Sequence, residues 1–429
     1  MNLVLKPTSQ LKGTVCAPPS KSYSIRAVFI ASLGNRSIIN NLSQCDDVEA
    51  SIGVCKSFGA HIKRVKSNIW QVQGVKNKIT FPTKFNVRES GTTLRFLLSL
   101  VSLAEQKLIV RGQGTLNFRP NSPLVAVLRK HGAQIRGTGR KESTPILVKK
   151  GRVKGGKIEI DGGLSSQFIS SLLMLAPLLS QDSTIKVTGP IFVSEPYIDM
   201  TLLVAQKASI KIRKAGKRIY KVKGKQLYRS LGKFCIPGDY GLSAYFMAAA
   251  ALTQSKLTLQ GFTGRGLPQA DKRILFFLKK MGVHYSTSGA GIKLQGPFTL
   301  KGSNLFCRDC PDLVPILGVL ALFARGKTKI YGVAHAKAKE SNRISDLASE
   351  LRTVGARIRE IKDGLIIFPH QKLKTGQVLN PHQDHRLAMA FSILGIKLGA
   401  TVKDIECVTK SYPSFLADLA RIKAKYILV

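Results

Sequence analysis

Charged side chains recur in this sequence at the starts of helix-like stretches, and that combination is chemistry for anions. Pro18-Pro19-Ser20-Lys21-Ser22-Tyr23-Ser24-Ile25-Arg26 lies between a strand signal and a helix signal. A hydroxyl of Ser20 or Ser22 can cap such a helix. Lys21 then sits where free N–H groups and the helix dipole favour negative charge, with Arg26 following on the helix. Glu89-Ser90-Gly91-Thr92-Thr93-Leu94-Arg95 repeats the design, and Gly91 lets backbone N–H groups come close to an anion. Arg119-Pro120, Ser165-Ser166-Gln167, and Ser194 ahead of Pro196-Tyr197-Ile198-Asp199 supply further cations and hydroxyls. The C-terminal half adds carboxylates: Pro311-Asp312, Lys339-Glu340-Ser341-Asn342-Arg343, Asp384-His385-Arg386, and then Lys410. Any one of these is also an ordinary charged helix start, and Asp312 alone reads equally well as a cap. Converging, they would surround one strongly cationic site.

The elements that must position these residues follow a repeat. A helix end, a Gly-Ala or close relative, and an alternating strand recur at Gly59, Gly132, Ala208, Gly282 and Gly355, in steps of 73, 76, 74 and 73 residues. Glycine accepts the left-handed conformation that stops a helix. Solenoid repeats are typically about 20–50 residues long, so this period implies a small α/β unit repeated about six times. A sixth copy is expected near the C-terminus, where Leu416 to Lys425 reads as helix. Ser165 to Leu179, Leu313 to Ala324 and Arg386 to Gly399 also read as helices, Val15 to Ala17 and Lys157 to Ile160 as strands. Ile236-Pro237-Gly238-Asp239 is a turn signal near the middle, giving two similar domains of three units with a cleft between them.

Composition narrows the class. The chain has 429 residues, 44% hydrophobic, enough for a large core in two or three domains. The formal charge is +43, spread along the chain with local clusters such as Lys211 to Lys225. That fits equally a lysine-rich solvated surface or anionic partners, either small phosphorylated molecules or nucleic acid, and no basic arm or RNA-stacking motif supports the last. No apolar run has membrane-spanning length. The N-terminal residues carry no leader pattern, and seven cysteines without framework spacing fit reduced thiols, so a cytoplasmic protein is expected. Cys307-Arg308-Asp309-Cys310 is a lone CxxC, and a structural zinc needs four ligands.

Six motifs in order carry a resemblance: Pro-Ser-Lys-Ser with Arg26, Ser-Gly-Thr-Thr with Arg95, Arg119-Pro120, Ser165-Ser166-Gln167, Lys-Glu-Ser-Asn-Arg, and Asp-His-Arg. Over essentially its whole length the chain resembles the EPSP synthases, the 3-phosphoshikimate 1-carboxyvinyltransferases. The resemblance implies an α/β fold of two similar domains, each of three βαβαββ units, with the active site in the interdomain cleft. The first domain would span 20–236, the second 1–19 plus 237–429. It implies shikimate 3-phosphate contacts from Lys21, Ser22, Arg26, Ser165, Ser166, Gln167, Ser194, Asp312, His335 and Lys339. Phosphoenolpyruvate contacts would come from Lys21, Gly91, Arg119, Gln167, Arg343, Arg386 and Lys410, and proton transfer from Asp312, Glu340 and Lys21. No cofactor and no metal are implied; the partners are two small anions, with no membrane, nucleic acid disfavoured and a monomer expected.

The chain departs from the common family pattern in places. Glu89 stands where an uncharged residue is usual, Glu195 where Lys is frequent, His335 where Asn is common, and Gly241-Leu242 where small polar residues are common. Two rivals remain. The sister transferase acting on UDP-N-acetylglucosamine normally has a Cys in the loop before its Arg-Pro, and here no cysteine occurs between Cys55 and Cys235. A non-catalytic, basic nucleic-acid-binding relative would have no use for Lys21, Asp312, Glu340 and Arg386 together.

Overall fold

The computed structural model describes residues 1–264, 266–289, 291–369 and 372–429. It divides into two compact units. One is Pro19–Ile236 with Gly266–Pro268; the other is Met1–Pro18, Pro237–Arg265 and Gln269–Val429. The described strands form six four-stranded sheets, three in each unit.

Every sheet has one pattern, a parallel pair followed by two antiparallel neighbours. Strands Lys84–Asn86 and Leu108–Arg111 run parallel, with Lys84 opposite Ile109; Ile146–Lys150 and Gln134–Gly137 then add antiparallel. Gly156–Asp161, Ser183–Thr188, Ile219–Val222 and Ile212–Lys214 repeat it. So do Asn304–Phe306, Thr328–Tyr331, Gly364–Ile367 and Ile358–Ile361. The other three sheets complete the pattern with strands from far along the chain. Lys233–Cys235 pairs with Ser37–Asn40, Gln10–Cys16 with Gln254–Gln260, and Leu3–Leu5 lies between Ala400–Val402 and Tyr426–Leu428.

Side-chain alternation explains one buried and one open face per sheet. In Gln254–Gln260, Ser255, Leu257 and Leu259 are buried while Gln254, Lys256 and Gln260 are exposed. Much of the positive charge sits on such open positions, among them Lys157, Lys186, Lys221, Lys256 and Lys293. Parallel strands need a crossover, and helices Gly91–Val101, Ser166–Leu175, Val314–Leu322 and His385–Leu398 provide it. Val314–Leu322 is buried at every residue, as its all-apolar sequence requires. It packs against both Tyr240–Leu252 and His385–Leu398 in the core of its unit.

The second helix of each repeat ends in one shared motif. Ala60 N donates to Cys55 O, Ala133 N to Leu128 O, Ile210 N to Ala205 O, Val283 N to Leu278 O, Ala356 N to Leu351 O and Ala424 N to Leu419 O. This is the long bond of a Schellman motif, which needs a left-handed residue just before its donor. Gly59, Gly132, Ser209, Gly282, Gly355 and Lys423 fill that position, with φ of 107°, 110°, 65°, 90°, 87° and 66°. The third copy is therefore centred on Ser209 rather than Ala208. The sixth, at Lys423, has no glycine to announce it. It also shortens the expected C-terminal helix to Phe415–Arg421, because the chain must turn there into strand Tyr426–Leu428. Likewise the helix expected to reach Leu179 is α-helical only over Ser166–Leu175, passing into a 3-10 turn around Pro177, which has no N–H to donate.

Candidate active site

In the N-terminal unit the helix starts gather two groups of side chains. Lys21 opens helix Lys21–Leu33 after Ser20, whose hydroxyl makes no cap hydrogen bond. The Lys21 Nζ donates to Asp47 Oδ2 at 2.8 Å. Asp47 lies in the first turn of helix Asp46–Ser57 and was not among the residues expected from sequence. Arg26 is buried and acts as a brace: Nε donates to Thr201 Oγ1, Nη1 to Ser22 O and Nη2 to Tyr197 O. Burial pushes its pKa down to about 10. It ties helix Lys21–Leu33 to helix Glu195–Lys207, whose N-cap Ser194 is held left-handed at φ 56°. Glu195, in the position where Lys is frequent, takes its cation from elsewhere, Lys214 Nζ at 2.7 Å.

The second group surrounds Gly91. A Cβ there would collide with Arg95 Nη1 and lie 2.6 Å from Arg119 Nη1, so both guanidiniums press on the first residue of helix Gly91–Val101. Arg95 also donates through Nη1 to Gln167 Oε1 at 3.3 Å and through Nη2 to Pro120 O at 3.2 Å. Gln167 Nε2 donates to Thr92 Oγ1 at 3.0 Å, and Gln167 N to the cap Ser165 Oγ at 3.2 Å. Gly91, Arg119, Gln167, Ser165 and Ser166 are thus brought together, with Arg95 as a member that sequence had left without a role. Glu89 accepts from Thr115 N at 2.8 Å, and a Cβ on Gly114, whose φ is 50°, would displace that carboxylate. The unusual acid therefore ties down the loop that leads to Arg119.

In the C-terminal unit one buried guanidinium collects three carboxylates. Arg343 Nη1 meets Asp312 Oδ1 at 2.6 Å, Nη2 meets Glu340 Oε2 at 2.9 Å, and Nε meets Asp384 Oδ2 at 2.6 Å. Asp384 is fully buried and caps helix His385–Leu398 through Arg386 N at 2.8 Å. It too lacked an expected role, although it stands inside the quoted Asp-His-Arg motif. Asp312 bridges onward to Arg386 Nη2 at 3.1 Å, while Arg386 Nε and Nη1 are buried with no hydrogen-bond partner among the described residues. Burial works to raise the Asp312 pKa, but Arg386, Arg343 and Lys339 outweigh it and hold the carboxyl well below the usual range. Burial alone would lower the Arg386 pKa; Asp312 instead keeps it above its ordinary value. His335 is buried beside Lys339 and Arg343, and burial first, then Lys339, pushes its pKa down to about 3. Lys410 is buried at the end of the 3-10 turn Ile405–Lys410.

Hard anions suit such donors, and among the described residues no group of three or more His, Cys, Asp or Glu is placed to hold a metal ion. No helix among them is long and apolar enough to cross a membrane.

Residues 5–419 match the family whose description is EPSP synthase (3-phosphoshikimate 1-carboxyvinyltransferase). The chain belongs to the EPSP synthase family. A 3-phosphoshikimate 1-carboxyvinyltransferase of Methanococcus vannielii is 38% identical over 427 residues, covering 98% of both chains. One from Methanocaldococcus jannaschii is 39% identical over 420 residues, covering 96% of both. Among solved structures, the EPSP synthase of Acinetobacter baumannii superposes with a TM-score of 0.80 at 24% identity, covering 99% of both chains. The enolpyruvyl transferase NikO of Streptomyces tendae gives 0.77 at 18% identity, covering 99% of this chain and 98% of its own. Those two share the fold, the one expected from the motifs.

Proposed function

We propose that this chain transfers the enolpyruvyl group of phosphoenolpyruvate to the 5-hydroxyl of shikimate 3-phosphate, releasing phosphate, on the route to chorismate and the aromatic amino acids. Membership of the family over nearly the full length supports the activity. The observation that carries the site is Arg386, a buried guanidinium with one arm on Asp312 and two donors, Nε and Nη1, still open. Buried donors without acceptors are costly, and an anionic oxygen of phosphoenolpyruvate is the acceptor they fit.

The same geometry explains how Asp312 becomes a base. Held by two guanidiniums, it is a poor proton acceptor. An incoming anion competes for Arg386, relaxes its pull on Asp312, and so couples binding to activation. Asp312 then takes the proton of the 5-hydroxyl as that oxygen bonds to C2 of phosphoenolpyruvate, while C3 gains a proton from Lys21 or Glu340. In the second step C3 loses a proton, the C2–C3 double bond returns, and the C2–O bond to phosphate breaks. Arg119, Gln167, Arg343, Arg386, Lys410 and the backbone at Gly91 are assigned to phosphoenolpyruvate. Lys21, Ser22, Arg26, Ser165, Ser166, Gln167, Ser194, Asp312, His335 and Lys339 are assigned to shikimate 3-phosphate. Residues 20–236 and 1–19 plus 237–429 are taken as the two domains. The seven free thiols support a cytoplasmic setting.

Phosphate release should require both substrates, persist with a strong chelator, and fail when UDP-N-acetylglucosamine replaces shikimate 3-phosphate. Arg386→Met should abolish most turnover with the fold intact. Activity with the nucleotide sugar, or full activity in Arg386→Met, would overturn the assignment.

A further inference from the structure

We propose that Asp47 is a positioning residue for Lys21, a role that no assignment above gives it. The proposal rests on the activity just described. Helix Asp46–Ser57 begins with three acids, Asp46, Asp47 and Glu49. Acids in a first turn usually serve the helix dipole from the surface. Asp46 is exposed and fits that role, whereas Asp47 is 5% exposed and aims its carboxylate at Lys21 Nζ, 2.8 Å away. Burying a carboxylate costs free energy unless it is paired, and the ammonium it meets opens the helix of the Ser-Lys-Ser motif.

The backbone of Asp47 is held as firmly as its side chain. Its carbonyl accepts from Ser51 Oγ at 3.0 Å and lies 3.3 Å from Thr93 Oγ1. Ser51 Oγ and Thr93 Oγ1 are 2.7 Å apart, and Thr93 Oγ1 is 2.7 Å from Ser90 Oγ. Ser90 and Thr93 belong to the Ser-Gly-Thr-Thr turn whose Gly91 lies under Arg95 and Arg119. A continuous chain of contacts therefore runs from Lys21 through Asp47 to the second anion loop, and it fixes the ammonium relative to Gly91. Lys21 is a flexible four-carbon arm, and Asp47 gives its Nζ a rigid anchor. Asp47 is not among the residues assigned to either substrate. It acts through Lys21, by holding the ammonium at 2.8 Å.

The test uses Asp47→Asn, Asp47→Glu, Lys21→Met and the double variant Asp47→Asn with Lys21→Met. Misplacing a reacting group by about 1 Å can cost about 10²-fold, so Asp47→Asn should lose roughly that in kcat. Its effect on the KM for shikimate 3-phosphate should be much smaller, and Asp47→Glu should recover part of the loss. In the double variant the Asp47 substitution should add little to Lys21→Met. A second readout needs no turnover: acylation of Lys21 by acetic anhydride, followed by peptide mass spectrometry, should be several-fold faster in Asp47→Asn, because the amine has lost its carboxylate partner. Wild-type failure to release phosphate from both substrates would count against the activity alone. Wild-type turnover in Asp47→Asn, fully additive losses in the double variant, or unchanged acylation would overturn the role of Asp47. An equal fall in melting temperature for Asp47→Asn and Asp47→Glu, with no partial recovery of kcat, would make it a structural acid only.

Discussion

Replacing Asp384 by alanine should destabilise the C-terminal unit far more than an average substitution. Asp384 is fully buried, accepts from Arg343 Nε at 2.6 Å and Nη2 at 3.3 Å, and caps a helix through Arg386 N. Removing one partner of a buried ion pair costs about 3–5 kcal/mol. Arg343 keeps Asp312 and Glu340, so the lower end applies, about 3 kcal/mol for the pair. The lost N-cap adds about 1 kcal/mol. A total near 4 kcal/mol is a large part of the about 5–15 kcal/mol that holds a domain together. With a urea slope of about 2 kcal/mol per molar, the unfolding midpoint should fall by about 2 M. Asp384→Asn keeps a carbonyl oxygen for the cap and loses only the charge, so it should fall less. Far-ultraviolet circular dichroism in a urea series measures both. A loss below about 1 kcal/mol in Asp384→Ala, the range of ordinary surface changes, would refute the argument that this carboxylate is the keystone of the Arg343 cluster.

Further expectations concern binding and pH. Gly91→Ala places a methyl against Arg95 and Arg119; the guanidiniums must move, and the KM for phosphoenolpyruvate should rise about tenfold or more, while a wild-type value would show that neither arginine meets that substrate. For His335 the folded pKa, about 3, lies below its ordinary 6.5. Between those values the unfolded chain binds a proton that the folded chain does not, so stability is lost as pH falls from 6.5 toward 3. His335→Asn removes that titration, and its melting temperature should drop less over the same interval than that of the wild type. Parallel curves for the two proteins would show that the imidazole does not titrate in that range.

The repeat was legible because a left-handed turn leaves a chemical mark. Gly59, Gly132, Gly282 and Gly355 show it directly. Ser209 and Lys423 adopt the same conformation without that mark, so the third position was read one residue early and the sixth helix ran too long. The anion-binding helix starts were legible for a similar reason, since capping residues and cations sit together along the chain. What each cation holds was not legible. Arg26 spends its donors on Thr201 and Tyr197, about 170 residues away, and Arg343 is shared among acids 3, 31 and 41 residues distant. Such pairings exist only once strands and helices have packed. Asp47 was not legible, and Arg95 had no legible role, on the same ground: their partners lie 26 and 72 residues away.

The borrowed strands set an order on the birth of the molecule. Leu3–Leu5 and Gln10–Cys16 leave the ribosome well before their partners, Gln254–Gln260, Ala400–Val402 and Tyr426–Leu428. At about 5–20 residues per second, these two strands wait tens of seconds for a neighbour, while the sheet of Ser37–Asn40 can close through Lys233–Cys235. During that wait their backbone groups are unpaired edges, open to pairing with other chains. A nascent chain released before residue 426 would keep the Leu3–Leu5 edge for good, and Lys6, which flanks it, is the kind of charge that discourages edge-to-edge association.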